Sequence, residues 1–210
     1  MPDNFFTRTL HRTVDVMVLA VGWWLIVLSF ISCFEMVSRK LFSFSLQGVD
    51  EVGGYTLAIT AAIGFSYTLI TRGHTRIDFL VGKLPPVARS VFNVLAMLTL
   101  AGMAVFAVLR GWTVLSESIE FQSHSTTPLQ TPMWIPQSLW LAGWALFMLT
   151  AVWMALHASW LCIRGAHDTV NTLYGPQTLD EEIESEAGEV LAQARQEAQA
   201  VTPASAGARP

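Results

Sequence analysis

The sequence predicts an all-α membrane protein with four transmembrane helices and both termini in the cytoplasm. Its 210 residues are 52% hydrophobic and only 13% charged, whereas soluble domains average about 25% charged residues. The apolar residues are concentrated in four long runs, each long enough to cross the hydrocarbon core of a bilayer. Lysine and arginine are unevenly divided between the two sides of these runs, and that division indicates the orientation.

The first helix is predicted at about residues 16–35. Residues 16–34 contain no charged side chain and would extend about 28 Å as a helix. A cleaved signal peptide is the alternative, but the run exceeds the usual length of about 7–15 residues and no small-x-small cleavage site follows. Glu35 and Arg39 stand four residues apart, so we expect them to form an ion pair on one face of the helix.

The second helix is predicted at about residues 52–71, after a short polar loop. Asp50 and Glu51 precede the apolar run, where carboxylates interact favourably with the free N–H groups at the start of a helix. This capping role accounts for Asp50, whereas Glu51 could instead reach a partner chain.

Small residues recur at every fourth position along the second run. This spacing places them on one ridge of the helix, where small side chains allow a neighbouring membrane helix to approach closely. Chance spacing in an alanine-rich helix is the alternative. We expect close helix–helix packing on this ridge, on a helix that the sequence does not identify, at Gly54, Ala58, Ala62 and Ser66.

The third and fourth helices are predicted at about residues 91–110 and 139–163, and the third run continues towards Phe121. The fourth run carries Trp140 and Trp160, which would lie about 30 Å apart on a helix. Aromatic residues with this separation are typical of the two membrane interfaces.

The basic residues indicate which loops face the cytoplasm, because cytoplasmic flanks carry an excess of lysine and arginine. Seven lie on the side of the two termini and the second loop, and three lie on the other side. The seven are Arg8, Arg12, Arg72, Arg76, Lys83, Arg89 and Arg164, and the three are Arg39, Lys40 and Arg110. We therefore expect both termini in the cytoplasm.

The chain divides into a predicted transmembrane domain, residues 1–170, and a cytoplasmic tail, residues 171–210. The tail carries seven Asp or Glu and only two Lys or Arg, and it ends in PASAGARP. This composition predicts a largely disordered segment with at most a short acidic helix.

The sequence contains no motif of a known enzyme chemistry. It has no phosphate-binding glycine loop, no Cys/His cluster with zinc spacing and no nucleophile elbow. Only His157 among the five histidines lies in an apolar run, which argues against a haem held by two histidines inside the membrane. Cys33 and Cys162 are interpreted as small buried hydrophobic residues. We therefore expect no enzymatic activity and no cofactor.

Charged residues are also missing from the centres of all four runs. A protein that moved ions or anions by itself would place polar groups or broken helices near mid-membrane. The sequence therefore indicates a protein that is not a transporter on its own.

Three segments resemble the small membrane subunit, the DctQ-like subunit, of tripartite ATP-independent periplasmic (TRAP) transporters. Their order and spacing match that family, and so do four helices with both termini inside. The segments are Glu35-x3-Arg39 at the end of the first helix, Ser45-Leu-Gln-x-x-Asp-Glu51, and Gly73-His74-Thr-Arg-Ile-Asp78 with Pro85-Pro86 and Arg89 after it.

The resemblance implies a multi-pass protein of the bacterial inner membrane that serves as a scaffold for a large membrane subunit. In that family the large subunit carries the substrate and sodium sites, and a periplasmic solute-binding protein delivers the substrate. The implied function is sodium-driven import of an organic acid anion, such as a C4-dicarboxylate. The expected partners are these two proteins and membrane lipids, without nucleic acid, and the sodium gradient is expected to act through the large subunit.

Two groups of residues are candidates for structural, subunit or lipid contacts. In the first group, Glu35, Arg39 and Glu51 are expected to fix the outer half of the bundle or its partner contact. The same group includes Gly54, Ala58 and Ala62, where close helix–helix packing is expected. The second group is expected to organise the cytoplasmic turn and to contact anionic lipid headgroups, and consists of Arg72, His74, Arg76 and Asp78. His74 is interpreted as ending a helix rather than as coupling protons.

Two other classes of protein are alternatives to a permease subunit. One is a stand-alone four-helix membrane protein with an interaction role, and the other is the membrane anchor of an oxidoreductase.

Overall fold

A computed structural model of the chain describes residues 5–71, 73, 84–175, 183, 187, 188, 190 and 191. Residues up to Gly175 form one compact unit. Its five helices are α1 (Phe5–Phe42), α2 (Val49–Ile70), α3 (Pro86–Glu120), α4 (Trp134–Ile163) and α5 (His167–Tyr174). In the second unit, residues 176–210, the five described residues are helical.

The predicted all-α membrane fold is confirmed. Four helices, α1 to α4, are long and apolar enough to cross a membrane, and the described residues contain no β-strand beyond a single bridge between His124 and Pro132. The chain is therefore a multi-pass membrane protein.

The helices extend beyond the apolar runs from which they were predicted. The 38 residues of α1 begin at Phe5, within the polar segment that precedes the first run, and the 35 residues of α3 continue to Glu120. A helix of 38 residues is about 57 Å long, whereas the hydrocarbon core is about 30 Å thick. Hydropathy marks only the embedded part of such a helix, so the polar turns that begin α1 were missed, whereas the continuation of the third run towards Phe121 is present in α3.

The four long helices pack in the spatial order α1, α2, α4, α3. One end of this row carries the loops 43–48 and 121–133 and is called the loop end below. The opposite end carries the start of α1, the start of α3 and the short helix α5, and is called the terminal end.

The core lies between α3 and α4 and is built largely from alanine. Ala104, Ala151 and Ala158 are completely buried, and larger residues such as Met97 and Phe147 fill the space around them. Gly111 of α3 also lies against α4, because a β-carbon there would come within 2.8 Å of a methyl carbon of Leu141. Small residues at a helix interface in lipid allow this close approach.

Helix α1 lies at the edge of the row and packs mainly on α2. Only 6% of its most apolar segment is buried within the chain. A hydrogen bond from Trp24 Nε1 to Thr56 Oγ1, 3.0 Å long, joins the two helices. The interpretation of Cys33 as a buried residue was wrong, because Cys33 faces outward from this edge helix, whereas Cys162 is partly buried.

Helix α5 crosses the terminal ends of α3 and α4. Asn171 accepts a 3.0 Å hydrogen bond from the side chain of Asn93 and donates a 2.9 Å hydrogen bond to the carbonyl of Pro86. Val170 and Tyr174 are buried on the same side. This ordered helix continues four residues past the boundary at residue 170 that the composition suggested.

Candidate functional site

Glu35 is a buried carboxylate near the loop end of α1. It is only 6% exposed, and its Oε2 accepts a 3.0 Å hydrogen bond from the largely exposed guanidinium of Arg39. Its Oε1 accepts a second hydrogen bond, 3.1 Å long, from Ser45 in the loop that follows. A buried charge requires such partners. The structure therefore contains the expected ion pair and adds Ser45, whose role the sequence did not reveal.

Glu51 stands in the first turn of α2 and has both carboxylate oxygens engaged within the chain. Oε1 accepts a 2.7 Å hydrogen bond from the hydroxyl of Tyr55, and Oε2 accepts a short one from the hydroxyl of Thr127. Because Thr127 belongs to the loop before α4, the side chain of Glu51 joins two distant segments. Tyr55 also contacts Met133 on the far side of this loop, 3.6 Å from its sulfur.

The loop 121–133 folds back on itself beside Glu51. Backbone hydrogen bonds of 2.9 Å join Ser125 to Thr131 and Met133 to Ser123. The hydroxyls of Ser125 and Thr127 lie 2.6 Å apart, so Ser125 supports the donor to Glu51.

Gly48 is a second contact between this loop and α2. Its φ of +95° lies in the left-handed region, which favours glycine. A β-carbon at this position would come within 1.8 Å of the Cδ1 atom of Leu129. Leu129 therefore occupies the space that a side chain at position 48 would need, and the loop packs directly on the start of α2.

The small-residue ridge of α2 is divided between two environments. Ala62 and Ser66 are buried, and a β-carbon on Gly143 of α4 would lie 2.9 Å from the β-carbon of Ala62. Helix α4 is therefore the neighbour on this half of the ridge. Gly54 and Ala58, nearer the loop end, are exposed.

A shallow apolar pocket lies between α2 and α4 beside the exposed half of the ridge. It measures about 170 Å³ and is lined by Tyr55, Ala58, Met133, Pro136, Gln137 and Trp140. The contact between Tyr55 and Met133 borders it towards the loop, and the close packing of Ala62 on Gly143 borders it towards the middle of the helices.

A second polar and aromatic cluster holds α5 at the terminal end. The hydroxyl of Tyr174 lies 2.5 Å from Nδ1 of His157, the ring of His157 stacks on Trp160, and the guanidinium of Arg164 lies 3.8 Å above the Trp160 ring. Burial raises the pKa of Tyr174 to about 12. The cluster joins the end of α4 to α5.

The second group of candidate residues was predicted in the turn between α2 and α3. Arg72, His74, Arg76 and Asp78 lie outside the described residues. Within the described part of the chain, no three His, Cys, Asp or Glu side chains are arranged to hold a metal ion.

Comparison with known proteins identifies the family. The family model described as "Tripartite ATP-independent periplasmic transporters, DctQ component" matches residues 28–160. This range includes the Glu35–Arg39 pair, all of α2 and α3, the loop that contacts Glu51, and most of α4. No curated protein matches the chain. The match covers more than half of the sequence and confirms the resemblance found in its motifs: the chain belongs to the DctQ component family of TRAP transporters.

Proposed function

We propose that this chain is the scaffold subunit of a sodium-driven TRAP transporter in a bacterial inner membrane. It holds a large membrane subunit that carries the substrate and sodium sites, and a periplasmic solute-binding protein delivers an organic acid anion, such as a C4-dicarboxylate, to the assembled pair. Both termini face the cytoplasm, as the distribution of lysine and arginine favours.

The observation that carries this proposal is the position of the charged side chains. Helix α4 contains no charged residue, and in α3 the segment between Arg89 and Arg110 contains none. In α2 the charges are confined to Asp50 and Glu51 in the first turn. A protein that binds an anion and sodium at mid-membrane needs polar or charged groups there, so these helices support a subunit that leaves transport to its partner.

The packing of the chain is also consistent with a scaffold that stays fixed in the membrane. The loop end is held by the contacts of Glu35 with Ser45 and of Glu51 with Thr127, and the terminal end is held by Asn171. A subunit whose helices are fastened at both ends suits a fixed scaffold for a larger membrane partner.

In this proposal Glu35 and Arg39 set the outer end of α1 for assembly. We expect Arg39→Ala to lower sodium-driven uptake in proteoliposomes in parallel with the amount of large subunit bound, because the variant leaves Glu35 without its cation. The order of preference among competing organic acids should stay that of the wild type.

Arg39→Lys is the matched control, since it keeps the positive charge, and should retain most of the assembly. A variant of Arg39 that assembles fully but selects a different acid would contradict the scaffold role. Uptake by the large subunit and binding protein alone, at the rate of the complete system, would contradict it as well.

A further inference from the structure

We propose that the outward face of α1 at the terminal end binds an anionic phospholipid. Two arginines on this face hold the phosphate group, and the apolar side chains that follow them along the helix lie against an acyl chain. The face is called the α1 stripe below and consists of Arg8, Arg12, Val16, Leu19, Trp23 and Ile26. This inference concerns the chain alone and does not depend on the proposed function.

The members of the α1 stripe share one face of the helix because they follow one another at intervals of three or four residues. All six are exposed, and Val16, Leu19 and Trp23 are 62%, 65% and 63% exposed. Leu10 and Val14, on the opposite side of the helix, are buried. The stripe therefore faces away from the rest of the bundle.

The two arginines of the stripe lack a partner of opposite charge. Arg8 and Arg12 form no ion pair or side-chain hydrogen bond within the described part of the chain. Like charges four residues apart on a helix repel each other, and cations near the start of a helix interact unfavourably with its dipole. A phosphate bound between them relieves this repulsion, because guanidinium groups donate paired hydrogen bonds to phosphate oxygens.

The length of the stripe matches one leaflet of a bilayer. From Val16 to Ile26 the helix rises about 15 Å, which is half the thickness of the hydrocarbon core. The headgroup region adds about 5–8 Å on each side, and Arg12 lies about 6 Å before Val16 along the helix axis. Arg12 is therefore at the level of the lipid phosphates, in the inner leaflet for the orientation proposed above.

The apolar side chains of the stripe favour an acyl chain over another helix. Helix interfaces in lipid are enriched in small residues, as in the contact between Ala62 of α2 and Gly143 of α4. The apolar members of the stripe are instead valine, leucine, tryptophan and isoleucine. A flexible acyl chain can follow this uneven surface, whereas the large side chains keep a rigid helix at a distance.

A cavity beside the start of α1 has the chemistry of a site for an amphiphilic anion. Its volume is about 940 Å³, near the upper end of the range of about 300–1,000 Å³ for ligand sites. Asp15 forms no ion pair with either arginine in the described part of the chain, so their charge remains available. Basic and apolar side chains both line the cavity, and they include Arg8, His11, Arg12, Asp15, Val16 and Met17.

Lipid retention by the purified full-length chain tests this site. The chain in mild detergent is mixed with phosphatidylglycerol or phosphatidylcholine of identical acyl chains, and native mass spectrometry measures the fraction that carries lipid. We expect retention of phosphatidylglycerol to exceed that of phosphatidylcholine, and the double variant Arg8→Gln with Arg12→Gln to lower it by about tenfold or more. Because both arginines are exposed and unpaired, this variant should fold as the wild type does.

Two controls separate a local site from attraction by net charge. Lys40→Gln with Arg110→Gln removes the same two charges from exposed positions at the loop end. Arg164→Gln removes a charge at the terminal end, where the guanidinium lies over the ring of Trp160. Both controls should retain phosphatidylglycerol as the wild type does, and an equal loss in either of them would overturn the site.

A competitor distinguishes a lipid from a soluble phosphate ester. Glycerophosphoglycerol has the same headgroup as phosphatidylglycerol but no acyl chains, so at equal concentration it should not displace the lipid. Displacement would assign the arginines to a soluble anion and overturn the proposal.

Photolabelling locates the acyl chain and tests whether a protein covers the stripe instead. Phosphatidylglycerol with a diazirine in one acyl chain should label residues 16–26 in vesicles, and the matching phosphatidylcholine should label them less. The labelling should persist when the large subunit is bound, and its loss there would make the stripe a protein interface and overturn the lipid site. If no large subunit binds but the labelling is as expected, the proposed function fails and the lipid site stands.

Discussion

Thr127 donates its hydroxyl hydrogen to the Oε2 atom of Glu51, a residue 76 positions earlier in the chain. The bond joins the loop before α4 to the first turn of α2 and lies beside the packing of Leu129 over Gly48. Two contacts of different kinds, one polar and one steric, thus fasten the same loop to the same helix end.

Replacing Thr127 by valine should loosen the loop 121–133 without unfolding the bundle. Valine keeps the shape of threonine but removes the donor, so the Oε2 atom of Glu51 loses its short hydrogen bond from Thr127. We expect amide hydrogen exchange in the loop to accelerate by about tenfold or more, measured by mass spectrometry in detergent micelles. Thr99→Val, which removes only a hydroxyl bonded to its own helix, is the control, and equal exchange in the two variants would count against the role of Glu51.

Gly48→Ala should destabilise the loop end through both backbone strain and a steric clash. The φ of +95° disfavours alanine, and the added carbon overlaps Leu129. Left-handed strain costs roughly 1–2 kcal/mol, and displacing Leu129 adds to it. Thermal unfolding in detergent measures the combined loss.

Gly165 separates the two contributions at position 48. It also has a positive φ, +76°, but a β-carbon there would meet nothing within 4 Å, so Gly165→Ala should show strain alone. Adding Leu129→Ala to Gly48→Ala should recover the clash component. A Gly48→Ala variant as stable as the wild type would mean that the loop does not pack on α2 as described.

Enlarging Gly143 should separate α2 from α4. A β-carbon there already lies 2.9 Å from the β-carbon of Ala62, so Gly143→Val overfills the contact, at a cost of about 1–3 kcal/mol. Gly64→Val is the comparison on α2, since it adds the same β-branched side chain at a position with no atom within 4 Å. The midpoint temperature of thermal unfolding should fall more for Gly143→Val than for Gly64→Val. A larger fall for Gly64→Val would contradict the contact between α2 and α4 at Gly143.

Asn171→Ala should release α5 from the ends of α3 and α4. The change removes both hydrogen bonds of that side chain and leaves Asn93, which is 3% exposed, without its acceptor. An unpaired buried group of this kind costs about 1–3 kcal/mol. Faster hydrogen exchange confined to residues 167–174 is the expected readout, with exposed Thr169→Ala as the control; protection that persists in the Asn171 variant would show that Val170 and Tyr174 suffice to hold the helix.

The sequence predicted what depends on local composition and spacing. The four membrane-spanning helices followed from their apolar runs, and the contact between Glu35 and Arg39 followed from a separation of one helical turn. The contact of Glu51 with Thr127 has no such local signal, because the two residues meet only when the loop folds back.

The small-residue ridge on α2 shows that sequence spacing also fails to predict which part of a single helix is packed. Its periodic small residues predicted a close-packed face, yet Ala62 is buried against α4 while Gly54 is exposed. Periodicity identifies a face of a helix but not how far along that face a neighbouring helix packs.

Helix α5 was missed because its eight residues contain no apolar run. It packs on a surface that Asn93 and the end of α4 provide, and the sequence does not reveal that surface.

The central claim is that this chain serves as a scaffold and leaves transport to a larger partner. Affinity purification of the tagged chain from its native membranes in mild detergent, with mass spectrometry and quantification of the proteins that accompany it, tests this claim most directly. We expect a larger polytopic membrane protein in a fixed stoichiometric ratio to the tagged chain. A well-folded chain that purifies alone from membranes competent in uptake would contradict the claim.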